Sequence, residues 1–203
     1  MSFQTKQLGK RPHSQVSKLL DELSDASSTA GAVAGTGVSC VEDGVGFIHK
    51  TVLTFTNAAV ALTDQADTVA YGGLKVYDLP AGAILMLGAV ADLDVTKSSA
   101  GVNANWDGDF AVGTVTASNN STLATTEQNI IPTTATPQAV AGVTTANGQS
   151  TASENIVIDG TTTAADVYVN LLVDDADHNV AGTACNLSLN GTLTLHWINL
   201  GDY

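Results

Sequence analysis

Residues 186–203 read "NLSLNGTLTLHWINLGDY", and the way this stretch treats Asn190-Gly191 decides the fold. Asn-Gly between alternating apolar residues is a strong hairpin signal, since both residues accept the positive φ of a tight turn. A two-residue turn would, however, set Leu189 opposite Thr192 on one face. Read straight through, Cys185, Leu187, Leu189, Gly191, Leu193, Leu195 and Trp197 are apolar or small. Asn186, Ser188, Asn190, Thr192, Thr194 and His196, between them, are polar. A slip of one residue turns a whole strand over, so unbroken parity favours one half-buried strand over 184–198, with a small residue at a kink or bulge. This reading puts Leu187, Leu189, Leu193, Leu195 and Trp197 inward.

The same alternation recurs upstream. Candidate strands run over 46–56, 74–79, 83–95, 109–117, 154–158 and 165–174, with shorter ones near 66–71 and 139–144. Pro80-Ala81-Gly82 punctuates two of them as a turn. In 165–174, Val167, Val169, Leu171 and Val173 share one face, and Asp166, Tyr168, Asn170 and Asp174 the other. The stretch 118–153 is weakly patterned and reads as an elaborated peripheral loop with one or two short strands. Seven to nine strands and no helix after residue 25 predict an all-β, antiparallel two-sheet sandwich, with jelly-roll topology favoured.

Ahead of this body, 14–24 places Val16, Leu19, Leu20 and Leu23 on one helical stripe, with Ser14 as N-cap. At this length a helix is marginal alone, so the stripe needs an apolar surface. Residues 25–46 are rich in Gly, Ala and Ser and read as a flexible linker. The expected division is therefore an arm over 1–45 and a β-sandwich over 46–203.

Only 13% of the 203 residues are charged, and the net charge of −13 is unevenly spread. Lys6, Lys10, Arg11 and Lys18 give residues 1–20 a charge of +4, and the rest carries −17. Such a body is repelled by nucleic acid. A basic arm on an acidic body points to docking on a protein surface, with a merely solubilising tail as the plain alternative. No signal peptide is evident, and the longest apolar run, 81–91, is too short to span a bilayer. The chain is thus expected to be soluble, made in the cytosol and without membrane partners. Cys40 and Cys185 could pair, but two unpaired thiols are the favoured reading.

Chemistry-bearing groups form no recognised motif. His13, His49, His178 and His196 stand apart from any nucleophile signature. The acidic groups Asp92/Asp94, Asp107/Asp109 and Asp174/Asp175/Asp177 fit a solvated face; a glycosidase needs two carboxyls roughly 5 to 10 Å apart across a cleft. "WDGDF" at 106–110 and "DDADHN" at 174–179 supply oxygen ligands of the type Ca²⁺ accepts, yet neither completes a calcium loop. Trp106, Trp197, Tyr71, Tyr77 and Tyr168 could stack on sugars if exposed. The expectation is a non-enzyme without cofactor or metal.

The arm, the Lys/Arg-poor sandwich and the ending "GTLTLHWINLGDY" over 191–203 together resemble the small capsid decoration, or cement, proteins of tailed bacteriophages. The resemblance lies in the general plan and carries over no site residue. It implies a virion structural protein on the outer surface of the head, commonly a trimer near local three-fold axes, binding the major capsid protein and other copies of itself. Within that plan the partner-binding residues expected on the arm are Lys6, Lys10, Arg11, Val16, Lys18, Leu19, Leu20 and Leu23. The alternative is a glycan-binding or adhesion module of a phage fibre or cell surface.

Overall fold

A computed structural model describes residues 31–45, 48–65, 69–118, 122–151, 156–174 and 185–201. Within them the chain forms β1 (Ala32–Val33), β2 (Val38–Val45), β3 (Ile48–Gln65), β4 (Val69–Asp78), β5 (Gly82–Lys97), β6 (Asp107–Gly113), β7 (Ile131–Thr136), β8 (Val143–Gln149), β9 (Val157–Gly160), β10 (Asp166–Asp174) and β11 (Cys185–Gly201). Among the described residues one 3-10 turn, Thr125–Glu127, interrupts the strands.

All pairings are antiparallel. One sheet runs β3-β11-β5-β8 and the other β4-β10-β6-β7. Leaving aside the additions at the strand edges, β1, β2 and β9, the first sheet holds the first, eighth, third and sixth strands, and the second sheet the second, seventh, fourth and fifth. This is the double Greek-key order of a jelly roll, as the sequence led us to expect.

Strand β3 belongs to both sheets: its N-terminal part pairs with β11, and Thr63–Gln65 pair with β4. On the opposite side β7 and β8 draw together. Ser150 Oγ, just past β8, donates to the carbonyl of Ile130 at 2.5 Å. A Cβ on Gly148 of β8 would lie 2.8 Å from Ile131 and 3.0 Å from Phe110, so only glycine admits this approach. The sandwich is thereby nearly closed into a barrel.

β11 is one continuous strand, with Leu187, Leu189, Leu193, Leu195 and Trp197 fully buried. They meet Val167, Val169, Leu171 and Val173 of β10 in the core. The irregularity expected on this strand falls at Gly191, which takes φ 121°, while the extra residue lies on its neighbour. Leu189 faces Ala58 and Gly191 faces Phe55, so β3 carries the extra residue. Asn57 takes φ 49° there, and its backbone N–H donates to Asn190 Oδ1 at 2.9 Å. The bulge switches the buried parity of β3 from Leu53 and Phe55 to Ala58, Val60 and Leu62, letting the strand run on to Gln65 rather than end at 56.

The linker expected over 25–46 is corrected from Gly31 onward. β1 pairs with β4, and β2 pairs with β3 from Val38↔Phe55 to Val45↔Ile48. This segment joins β4 of one sheet to β3 of the other, spanning the side where the two strands diverge. The expected arm helix over 14–24 lies outside the described residues. The weakly patterned stretch holds β7 and β8, and its first part covers the outside of the second sheet. There Asn170 is fully buried: its amide donates to the carbonyls of Val115 and Glu127 and accepts from Ala117 N–H.

Candidate functional site

The most chemically loaded cluster lies beneath β2. Glu42 is on the inward face of β2, His49 and Thr51 on that of β3, Tyr77 on β4 and Trp197 on β11. Tyr77 Oη donates to Glu42 Oε2 and accepts from the Gly31 N–H at 2.9 Å. Glu42 Oε1 lies 2.9 Å from His49 Nδ1. The His49 ring stacks flat on Trp197, with centroids 3.9 Å apart, and Trp197 Nε1 donates to Thr51 Oγ1. Burial, then the adjacent Glu42 carboxylate, pushes the Tyr77 phenol well above its usual value.

A tyrosine, a carboxylate and an imidazole in series have the outline of a proton relay. Tyr77 is fully buried and His49 is 4% exposed, however, so neither ring meets a dissolved substrate. What the network does is fasten residues 31–45 to both sheets through one carboxylate. Among the described residues His49 Nε2 has no hydrogen-bond partner. Glu42 did not stand out in the sequence, and Tyr77 did so only as a ring that could stack on sugars, because no motif links residues so far apart.

The second feature is the outer face of the first sheet. Cross-strand register sets Ile48, Ile198, Leu85 and Val157 in a row across β3, β11, β5 and β9. Two residues along lie Asp43, Lys50 and His196, and beyond them Val41, Val52, Thr194, Val90 and Gln149. Farther on come Ser39, Thr54, Thr192, Asp92 and Asn147. Val41, Ile48, Leu87, Val90 and Val157 are all exposed, Val41 by 63% and Val157 by 61%. At Leu87, β5 gains one residue relative to β11. Beside it a shallow hollow of about 270 Å³ is lined by Leu87, Val90, Gln149, Ser150 and His196.

Lys6, Lys10, Arg11, Val16, Lys18, Leu19, Leu20 and Leu23 lie outside the described residues, as do His13, His178, Asp175 and Asp177. Asp92 and Asp94 are exposed on the outer face just described; Asp107 and Asp109 are half-buried on β6. Among the described residues no three ligating side chains gather into a metal site. Trp106, Trp197 and Tyr77 are buried, and Tyr71 and Tyr168 half-buried. No disulfide joins Cys40 to Cys185, whose thiol faces the Gly101 carbonyl. No helix among the described residues is long and apolar enough to cross a membrane.

No protein family, curated protein or solved structure matches this chain.

Proposed function

We propose that this chain is a capsid decoration protein of the tailed-phage type, attached to the outer surface of a virion head and bridging major capsid subunits. The observation that supports this reading best is the character of its surfaces. The jelly roll offers a broad sheet face with rows of exposed valine and isoleucine, while its Tyr–Glu–His cluster is shut from solvent. Exposed apolar side chains gathered on one face, here in rows on either side of Asp43, Lys50 and His196, are the mark of a protein interface. An acidic body is disfavoured next to packaged DNA and unpenalised on the outside. The arm supplies a second attachment, and several copies engaging together strengthen binding. The glycan-binding alternative draws little support, since both tryptophans are buried. The test is whether the protein purifies with intact heads in stoichiometric amount and rebinds heads that lack it. Heads without it, together with no rebinding at micromolar concentration, would sink the reading.

A further inference from the structure

The outer face of the first sheet has the chemistry of a seat, and the chain itself contains a segment that fits it. The row Ile48–Ile198–Leu85–Val157 crosses four strands, about 14 Å at ordinary strand spacing. The helix expected over 14–24 would, at eleven residues, be about 16 Å long. Its stripe, Val16, Leu19, Leu20 and Leu23, matches the row in chemistry, and the hollow beside Leu87 has room for a leucine side chain. Charge agrees as well. Asp43, Asp92, Asp94 and Asp159 are exposed on this face, with Lys50 the cation among them, whereas Lys6, Lys10 and Arg11 lie just ahead of the segment and Lys18 within it, against Asp21 and Glu22 near its end.

The place where the described chain begins fits too. Gly31 N–H is bonded to Tyr77 Oη, Tyr77 to Glu42, and Glu42 to His49, the neighbour of Ile48. The chain therefore enters the sandwich at the end where the apolar row lies. Six residues separate Ser24 from Gly31, seven steps along the chain with a reach of at most about 25 Å.

We propose that, in the protein free of any partner, residues 14–24 seat as a helix on this outer face of their own chain, with the leucine stripe against Ile48, Ile198, Leu85 and Val157. The proposal concerns the free chain and does not rest on the decoration reading. A seat in the same chain explains how a short, apolar-striped segment can accompany an exposed apolar face on a soluble body.

The experiment is methyl NMR on the full chain with labelled Ile, Leu and Val. The expected result is cross-peaks from Leu19, Leu20 or Leu23 to Ile48, Ile198 or Val157 within one chain. These should be lost in Leu20→Asp and, separately, in Val157→Asp, a position already exposed, while the buried Leu193 methyls keep their shifts and report an intact fold. Absence of such cross-peaks in the unaltered chain overturns the proposal. So does their appearance only between differently labelled copies in a mixed sample, which would make the occupant another molecule's arm.

Discussion

Tyr77 and Glu42 illustrate how one hydrogen-bonded pair can hold a whole segment. Replacing Tyr77 by Phe removes a donor from a half-buried carboxylate and an acceptor from the Gly31 N–H. We expect a loss of about 1 to 3 kcal/mol at neutral pH, read as a lowered urea midpoint. The alkaline limb gives a sharper signature. In the unfolded chain a tyrosine ionises near pH ~10, and in the fold Tyr77 does so higher. Its contribution is therefore intact below about pH 10 and declines as pH climbs towards the folded value. Tyr77→Phe should have a shallower decline than the parent above pH 10; equal slopes would show that Tyr77 is not responsible. At Leu195, fully buried on β11, truncation to Ala should cost about 2 to 5 kcal/mol by the same denaturation measurement. Leu195 was legible in the sequence because every second neighbour agrees with it. His49 was not: its parity with Thr51 and Leu53 is plain, but burial of an imidazole depends on Glu42 and Trp197 arriving from other strands.

Among the elements, β11 was readable and β3 only half so. Alternation carries information only while register is unbroken, and the Asn57 bulge reverses it midway, so the sequence reads as a strand end where the strand merely steps. β1 and β2 were missed for a different reason: Gly, Ala and Ser dominate the stretch before Val38, and its pairing partners lie far along the chain. β7 and β8 are edge strands rich in Thr, with little apolar contrast between faces. The bulge makes a testable demand on β11. Gly191 has φ 121°, and an added Cβ would lie 2.2 Å from the Asp92 carbonyl oxygen. Gly191→Ala should therefore destabilise by about 1 to 3 kcal/mol or more, seen as a fall in melting temperature. An unchanged melting temperature would mean that the strand tolerates a different path at this point.

For the whole molecule, the proposed decoration role together with the uneven charge makes a prediction for the arm on a head. Deleting residues 1–24 should lower occupancy on heads that lack the protein, provided the remainder keeps its near-ultraviolet circular dichroism. Raising salt should weaken binding of the full chain, because contacts between exposed charges are screened within about 10 Å at 0.1 M. Undiminished occupancy after the deletion would remove the anchoring role; binding indifferent to salt would remove only its electrostatic part. The jelly-roll order itself was legible as a class, from strand number and turn spacing. The pairing that creates it was not, since nothing local tells β11 that its neighbours are β3 and β5.

That pairing has a consequence for synthesis. β11 is the last of the described strands to leave the ribosome, yet it occupies the middle of its sheet, with β3 on one side and β5 on the other. Until it emerges, β3 and β5 lack their shared neighbour, and each presents a long row of unsatisfied backbone groups able to pair with another chain. A premature stop within 185–201 would thus remove a centre rather than trim an edge. Its product should collect in the insoluble fraction of the cell, whereas a chain carried past residue 201 can complete the sheet.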